Sequence, residues 1–375
     1  MHKWQLKSDP PADFFENHPE LPPIITRLLW NRNLKTPQKI DEFLNPDYTS
    51  DIHDPFLFRD MKKAVKIILA AIKKQKKIVI HGDYDADGVS AAAIIVNGLK
   101  KLGAENVEAY IPHRETEGYG LNINTVKKLA KEKTDLLITC DCGVGNIEEV
   151  KLAKKSGMQV IITDHHSVPE ITPKADAIIH PKMPKDKYPD KMLCGGAVGF
   201  KLIQALLIEH KKNNTTLPGG QLHEGFEKWL LDLVAIATIG DMIPLLGESR
   251  TLVKYGMVVL NKTQNLGLQQ LIEISRFKNS KVKKALDAIN VSFQLVPRLN
   301  AAGRMDHANA AYELLVTTDE DEAKKLAKQL NKNNTERQKL TEKMVRASIA
   351  QIEKDNSQEN PVLFVIEKDW PTGLL

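Results

Sequence analysis

The sequence predicts an α/β fold in which a parallel sheet is flanked by helices. Apolar runs alternate with helical patterns between residues 77 and 180, and strands separated by helices of this length are typical of βαβ units. The length of 375 residues allows two or three domains. Apolar and charged fractions of 42% and 27% exclude a disordered or fibrous protein.

Five short apolar runs predict the strands of this sheet. They cover residues 77–81, 107–111, 135–140, 159–163 and 177–180. Helical patterns follow the first three runs, at residues 88–102, 122–131 and 146–156. Because the ligands of open α/β sheets collect at the carboxyl ends of the strands, we expect functional side chains directly after these runs.

The segments on either side of the alternating region differ from it. Residues 1–60 are rich in proline and aromatic side chains and predict an irregular arm with one short helix at 37–44. Beyond about residue 245 the pattern is mainly helical and ends in a long polar helix at 319–354. A final apolar strand is predicted at 361–366.

The composition predicts a cytoplasmic protein without a membrane span. The sequence contains no apolar run of about 18 residues, and its start lacks the apolar core of a secretory signal. Three cysteines, an odd number without zinc-ribbon spacing, indicate a reducing compartment. A net charge of +5 and a pI near 8.8 permit a polyanionic partner without requiring one.

An acidic loop, HGDYDADG, follows the first predicted strand. Asp83, Asp85 and Asp87 match the first, third and fifth positions of a calcium-binding EF-hand loop. The twelfth position of such a loop requires a glutamate but holds Ile94 here, and the loop follows a strand instead of a helix. Carboxylates this close repel one another unless a cation or protons neutralise them. We therefore expect a different metal site, with further ligands from elsewhere in the chain.

Acidic and imidazole side chains follow three of the predicted strands, in the order first, third and fourth. The candidates are His81, Asp85 and Asp87, then Asp141, then Asp164, His165 and His166. Asp241 is a further candidate, although it closes an apolar helix. Taken singly, an aspartate at a strand end is more often a turn or helix cap than a ligand, and Asp164 can serve only to orient His165. Their shared position at strand ends favours a common site.

The types of ligand predict which metal this site holds. Oxygen ligands with a minority of imidazoles suit manganese or magnesium better than zinc or copper. The number of candidates exceeds the needs of one ion, so we expect two ions that share a bridging carboxylate. Two such ions are the usual arrangement for hydrolysing phosphate esters. His166 is then left to face the substrate phosphate or to orient its neighbour.

These motifs resemble those of the DHH phosphoesterase superfamily. The resemblance is carried by His81-Gly-Asp-Tyr-Asp85-Ala-Asp87-Gly, Cys140-Asp141-Cys142-Gly143, Asp164-His165-His166 and Gly240-Asp241. Within the superfamily, the chain is similar from about residue 20 onward to the RecJ family of single-strand-specific 5′→3′ exonucleases. The narrower resemblance is carried by Ile111-Pro-His-Arg114, Glu117-Gly-Tyr119-Gly and Pro297-Arg-Leu-Asn300-Ala-Ala-Gly-Arg304-Met.

The resemblance implies a role for each motif residue. One manganese ion is expected on His81, Asp85 and Asp141, and a second on Asp87, Asp141, His165 and Asp241, so that Asp141 bridges the pair. Magnesium is the alternative metal. His166 is expected to contact the scissile phosphate. The expected catalytic residues are therefore His166 and the ligands Asp85, Asp87, Asp141, His165 and Asp241. Asp83 and Asp164 are expected to lie behind the ligands without binding a metal themselves.

The resemblance also implies how nucleic acid binds and where the protein works. Arg114 and Arg304 are expected to hold backbone phosphates together with Asn300, and Arg304 to help recognise the 5′ end. The planar fork of arginine suits phosphate oxygens. Single-stranded DNA is the implied substrate, in recombination and repair in the bacterial cytoplasm. A single-strand-binding protein and a recombination helicase are the implied partners.

The same resemblance divides the chain into four parts. We expect an N-terminal arm at 1–60, a DHH catalytic domain at 61–245 and a helical connector with a long helix at 246–355. Residues 356–375 are expected to begin a DHH-associated second α/β domain that is cut short at Leu375.

Two other functions are compatible with the sequence. Other DHH enzymes apply the same chemistry to short oligonucleotides, cyclic dinucleotides, pyrophosphate or polyphosphate, and a non-catalytic nucleic-acid-binding relative can share the fold. By resemblance, the segment 300–304 and the long connecting helix favour the exonuclease over other DHH enzymes. The complete set of candidate ligands favours an enzyme over a binding protein.

Overall fold

The computed structural model describes residues 3–213, 225–275, 285–355, 357–368 and 370–374. Within these ranges the strands are β1 (Ile78–His81), β2 (Val107–Tyr110), β3 (Leu136–Cys140), β4 (Gln159–Thr163) and β5 (Ala177–Ile179). The helices before and within the sheet region are α1 (Ala12–Glu16), α2 (Pro23–Asn31), α3 (Pro37–Leu44), α4 (Met61–Lys73), α5 (Ala86–Lys101), α6 (Ile123–Lys131) and α7 (Ile147–Lys155).

The helices that follow the sheet form the second half of the described chain. They are α8 (Gly195–Asn213), α9 (Leu231–Gly240), α10 (Gly247–Leu260), α11 (Leu266–Ser275), α12 (Ala288–Asn290), α13 (Val296–Met305), α14 (Asn309–Val316) and α15 (Glu320–Lys354). A π-helical turn, Val291–Leu295, joins α12 to α13, and short 3-10 turns occupy Pro55–Leu57, Phe226–Leu230 and Thr372–Leu374.

The five strands form one parallel sheet of order β2-β1-β3-β4-β5. In register, Ile78 of β1 lies beside Val107 on one side and Leu136 on the other. Because every pair is parallel, the carboxyl ends of β1, β3 and β4 meet at the same edge of the sheet. The predicted strand bounds agree with the observed ones to within one residue. This confirms the predicted α/β fold class.

Both faces of the sheet are covered at β1, β3 and β5, whose residues are all buried, whereas the edge strand β2 is partly exposed. This coverage explains why the inner strands are continuous apolar runs. Ile80, Ile138 and Ile161 face a core shared with α4, α5 and α8. On the other face, Val79 and Leu137 pack against α6 and α7. The sheet is therefore the middle of three layers.

The helix α9 lies in the interior and ends at the edge of the sheet where the carboxyl ends of β1, β3 and β4 meet. Its residues Leu231–Ile239 are all buried, and it packs against α5, α8 and α10. A helix that is apolar all round must be buried on every side. This packing delivers Asp241, the residue after α9, to the same edge as the strand ends.

Two predictions about the ends of the chain are wrong. The arm before residue 60 contains α1 and α2 in addition to the predicted α3, and Phe14, Leu29 and Ile40 form a small core of their own. Proline at the first helical position begins α2, as it does α3.

Residues 361–366 form no strand within the described part, and Phe364 is 78% exposed. A strand requires a neighbour to bond its backbone.

The described ranges include no helix that is long and apolar enough to cross a bilayer.

Candidate metal centre

The loop after β1 presents its acids through the first turn of α5. Asp85 caps this helix, because its Oδ1 accepts hydrogen bonds from the backbone N–H groups of Asp87 at 2.9 Å and Gly88 at 3.0 Å. A Cβ atom on Gly88 would lie 2.5 Å from the backbone oxygen of Asp83, so only glycine fits at this position. The other carboxylate oxygen of Asp85 takes no part in these two hydrogen bonds.

Asp87 is buried at the N-terminus of α8. Its two oxygens accept hydrogen bonds from the backbone N–H groups of Gly195 at 2.7 Å and Gly196 at 2.6 Å. The N-terminus of a helix favours negative charge. Burial nevertheless raises the pKa of Asp87, with the nearby His165 imidazole acting in the opposite direction. The helix therefore aims this carboxylate but does not fully compensate for its burial.

Asp141 lies at the end of β3 in a left-handed backbone conformation, with φ of 60°. Such strain in a non-glycine residue is typical of functional sites. Its backbone N–H donates to Thr163 O at 3.0 Å, and its carbonyl accepts from the Tyr119 hydroxyl at 3.1 Å. Burial, followed by repulsion from Asp87, raises the pKa of its carboxyl well above the usual value. A cation bound beside this group would favour its charged form and oppose that rise.

One imidazole nitrogen of His165 faces three carboxylates. Its Nε2 atom lies 3.0 Å from Asp141 Oδ1, 3.7 Å from Asp87 Oδ2 and 3.7 Å from Asp241 Oδ2. These groups come from four separate segments of the chain. The pKa of Asp241 is raised, chiefly by burial and then by the charge of Asp87. The sharing of one small volume by His165 and three acids is what a metal site requires.

A second group of acids lies beside the first. Single ligand atoms of Asp83, Asp85 and Asp141 lie within 4.8 Å of one another, as do those of Asp87, His165 and Asp241. Asp141 also belongs to a group with His165 and His166. Asp141 thus touches both acidic groups, which is the position predicted for a bridging ligand.

Asp83 and His81 differ in how they relate to these groups. The structure places Asp83, which is predicted to lie behind the ligands, among the clustered acids, and burial followed by the charge of Asp85 raises its pKa to about 7. His81 is fully buried and stacks on Tyr110, and burial lowers its pKa to about 4. A neutral imidazole retains the lone pair that a metal needs. Whether each residue binds an ion stays a prediction.

Orphaned polar atoms at the centre fit a divalent cation. Within the described part of the chain, His81 Nε2, Asp83 Oδ1 and His165 Nδ1 are buried without a hydrogen-bond partner. His165 Nε2 and Asp141 Oδ1 lie 3.0 Å apart, but their contact lacks hydrogen-bond geometry, so both atoms are also unsatisfied. Buried polar atoms in proteins are almost always satisfied. Carboxylate oxygens with a few imidazole nitrogens match manganese or magnesium. The donor set at this centre fits such an ion.

His166 is oriented by Asp164 toward the open side of the centre. Its Nδ1 lies 2.9 Å from Asp164 Oδ1, and its side chain is 43% exposed. This hydrogen bond is the main cause of the raised pKa of His166. The Tyr119 hydroxyl approaches the same Nδ1 at 3.0 Å. The same hydroxyl lies 3.4 Å from Nε2 of the ring, and a phosphate contact by His166 stays a prediction.

The predicted nucleic-acid residues lie beside the acidic loop. The guanidinium of Arg114 stacks over the Tyr84 ring at 5.0 Å, and the charge of Arg114 contributes, after burial, to lowering the pKa of Arg304. Arg304 Nη1 donates to the carbonyl of Gly373. Asn300 instead bonds within the protein, since its Oδ1 accepts from Ala86 N at 2.7 Å. A contact between Asn300 and DNA therefore stays a prediction.

Sequence reasoning missed the glycine pair that closes the centre. A Cβ atom on Gly195 would lie 2.5 Å from Asp141 Cβ, and one on Gly196 would lie 2.6 Å from Ala237 Cβ. Both N–H groups also hold Asp87. The available signal was a glycine doublet directly before a long apolar helix, which is typical of a helix N-terminus that binds negative charge.

Comparisons with known proteins agree with this geometry. The family model described as "DHH family, N-terminal domain" matches residues 77–238. The single-stranded-DNA-specific exonuclease RecJ of Bacillus subtilis is 38% identical over 353 residues, which cover 94% of this chain and 42% of that protein. The chain spans about half the length of the curated relatives it matches.

Solved structures give the same result. A crystal structure of exonuclease RecJ bound to manganese is 35% identical with a TM-score of 0.68, and the match covers 78% of this chain and 70% of that one. The chain belongs to the RecJ family. Another RecJ structure, from Thermus thermophilus in complex with Mn2+, has a TM-score of 0.78 at 29% identity and covers 99% of this chain and 51% of that one. RecJ structures thus contain manganese, and this chain has acid and histidine groups able to bind it.

Proposed function

We propose that this chain carries the catalytic unit of a metal-dependent exonuclease. The substrate is single-stranded DNA, hydrolysed from the 5′ end during recombination and repair, and residues 61–245 form the catalytic domain. One observation carries the proposal: His165 Nε2 faces Asp87, Asp141 and Asp241 at the carboxyl edge of the sheet, beside a second acid group. Membership of the RecJ family supports the substrate.

The proposed ligand roles are those implied by the family resemblance, and the clustering of Asp85, Asp87, Asp141, His165 and Asp241 supports them. Asp87, His165 and Asp241 hold one divalent cation, His81 and Asp85 hold another, and Asp141 bridges them, while Asp83 and Asp164 support the ligands. Manganese is the proposed metal and magnesium the alternative. When bound, two such ions lower the pKa of a water and stabilise charge on the attacking and leaving oxygens.

The remaining residues bind and orient the DNA. Asp164 holds the Nδ1 edge of His166, so the opposite edge of the ring can donate to an oxygen of the scissile phosphate. Arg114 and Arg304 bind backbone phosphates near the acidic loop, where planar guanidinium groups suit phosphate oxygens.

Burial keeps His81 neutral and hence able to act as a metal ligand.

Cleavage of end-labelled oligonucleotides tests this proposal. In Mn2+, the chain should shorten a 3′-labelled single strand stepwise and leave a blunt duplex intact, and a streptavidin block on the 5′ end should stop it. Asp141→Asn should lose at least about a thousandfold in rate, because a bridging charge is removed. Asp321→Asn, the same change at an exposed residue of α15, is the control and should match the wild type.

Two results would overturn the proposal. Full activity of Asp141→Asn would reject the metal mechanism. Faster cleavage of a dinucleotide or of polyphosphate than of a long single strand would assign the centre to another DHH substrate.

The proposal extends to location and partners. We place the protein in the bacterial cytoplasm, which suits its three cysteines, all buried and free of disulfides. A single-strand-binding protein and a recombination helicase are the proposed partners, on family resemblance alone. A pull-down with each purified protein checks this, and no retention of either would reject it.

A further inference from the structure

The loop that carries His165 and His166 is held from two sides. On one side, the Asp164 carboxylate accepts from the backbone N–H of His165 at 2.7 Å and of His166 at 3.1 Å, and its second oxygen accepts from Val144 N at 2.9 Å. These bonds account for the N–H groups of the loop. The carbonyl groups on the opposite side require partners of their own.

The carbonyl partners are His180 and Lys182. The Nε2 atom of His180 lies 2.9 Å from the carbonyl oxygen of His166. The Lys182 ammonium donates to the carbonyl oxygen of His165 at 2.6 Å. Both histidine carbonyls are thus bonded to side chains of one short segment, His180-Pro181-Lys182.

The hydrogen bonds of His180 determine its tautomer. Its Nδ1 accepts from the backbone N–H of Lys182 at 3.0 Å, so the ring proton lies on Nε2 and is donated to the carbonyl of His166. The ring is fully buried, and burial lowers its pKa to about 4. Both ring nitrogens are therefore used in holding this geometry.

The sheet register explains why this segment reaches the loop. Thr163 of β4 pairs with Ile179 of β5, so His180 emerges beside Asp164. Pro181 restricts the residue before it to an extended backbone, which directs the His180 side chain along one path. The position of the segment is therefore set by β5 and by a proline.

From these contacts we propose that His180 and Lys182 form a brace: two positioning residues that hold the backbone of His165 and His166 in the reactive geometry. The proposal rests on the proposed function and adds residues to which no role in the reaction has been assigned. Neither side chain touches the reacting atoms. His180 acts through the carbonyl of His166, and Lys182 acts through the carbonyl of His165 and through its charge, which opposes the rise that burial causes in the pKa of Asp241. Loosening a catalytic group by about 1 Å reduces the rate strongly.

Substitutions at His180 and Lys182 test the brace, and the hydrogen-bonding variant at His180 separates lost bonds from lost volume. His180→Ala should lower kcat on single-stranded DNA at least tenfold with KM within about threefold, because DNA binding by the arginines is untouched. His180→Asn, which keeps one donor and one acceptor, should recover most of the loss. Lys182→Ala should lower kcat less and weaken Mn2+ binding severalfold in calorimetry, while Lys187→Ala, an exposed lysine of the same loop, should match the wild type.

The outcomes separate the brace from the proposed function. A folded His180→Ala variant with kcat within twofold of the wild type refutes the brace. If that variant does not fold, the exposed Lys182 decides, and wild-type kcat and Mn2+ affinity in Lys182→Ala refute it. If the wild type cleaves no DNA, the proposed function fails. The brace is then judged by Mn2+ affinity and by the 15N imidazole spectrum of His180, where a proton on Nδ1 would contradict it.

Discussion

Asp232 is a buried carboxyl in the first turn of α9, at the opposite end of that helix from Asp241, and it makes stability depend on pH. Its Oδ2 accepts from the Thr263 hydroxyl at 2.5 Å, and burial raises its pKa from 3.8 to about 6. Between pH 3.8 and about pH 6, the folded state keeps the proton on Asp232 while the unfolded state has released it. The free energy of unfolding therefore falls as pH rises through this window, by about 3 kcal/mol from this group alone.

The Asp232→Asn variant should lose this pH dependence. Urea unfolding of metal-free protein between pH 4 and pH 7 measures it, and the stability of the variant relative to the wild type should rise by about 3 kcal/mol across that range. Asp321→Asn, an exposed change, should follow the wild type. Parallel curves for Asp232→Asn and the wild type would contradict the assignment.

At the scale of elements, the N-terminus of α8 fixes the centre through its glycines. A methyl group at Gly195 would lie 2.5 Å from the Cβ atom of Asp141, which cannot move away without a shift of the backbone. Gly195→Ala should therefore displace Asp141 and weaken Mn2+ binding at least tenfold in calorimetry. Gly145→Ala is the matched control, because its added Cβ meets nothing within 4 Å. Equal affinity of the two variants would show that α8 does not restrain Asp141.

A buried ion pair ties α8 to α10 and to the N-terminal arm. Lys201 and Glu248 are both inaccessible to solvent and lie 2.8 Å apart, and Lys201 also donates to the carbonyl of His53 at 2.6 Å. Tyr188 donates to the other oxygen of Glu248 at 2.5 Å. Breaking a buried pair leaves an uncompensated charge, which costs about 3–5 kcal/mol.

Lys201→Met should accordingly destabilise the chain by about 3–5 kcal/mol in urea unfolding. The double variant Lys201→Met/Glu248→Leu removes both charges and should recover a large part of that loss. The backbone N–H of His53 also donates to Glu248 Oε1 at 3.1 Å. A double variant less stable than Lys201→Met would therefore show that Tyr188 and His53 alone satisfy the carboxylate.

At the scale of the whole molecule, the candidate ligands come from the β1 loop, the ends of β3 and β4, and the end of α9. A cation that bridges these segments binds only the folded chain and so stabilises it. At a Mn2+ concentration about 100 times Kd, the gain is about 2.7 kcal/mol, which raises the thermal midpoint of a chain this long by about 3 °C.

Thermal unfolding in Mn2+ and in EDTA measures this shift without any cleavage assay. The wild type should gain about 3 °C under these conditions, and Asp141→Asn should gain much less. An equal gain in both would place the bound metal elsewhere on the chain.

The sheet and most of the acidic site could be predicted from the order of residues along the chain. Strand bounds were predictable because doubly covered parallel strands are short, continuous apolar runs, and a parallel sheet gathers the residues that follow β1, β3 and β4 at one edge. Asp85, Asp87, Asp141 and His165 could be named because they occupy those strand ends.

Other parts of the site depend on contacts between segments that are distant in sequence, and they became visible only in the folded chain. The approach of α9 brings Asp241 to the edge, the N-terminus of α8 aims Asp87, and β5 brings His180 to the loop of His166. Asp83 lies among the clustered acids because of how the loop packs, a property without a local sequence signal. Residues 361–366 have strand composition but no strand in the described part, since composition sets a propensity and a paired neighbour sets the structure.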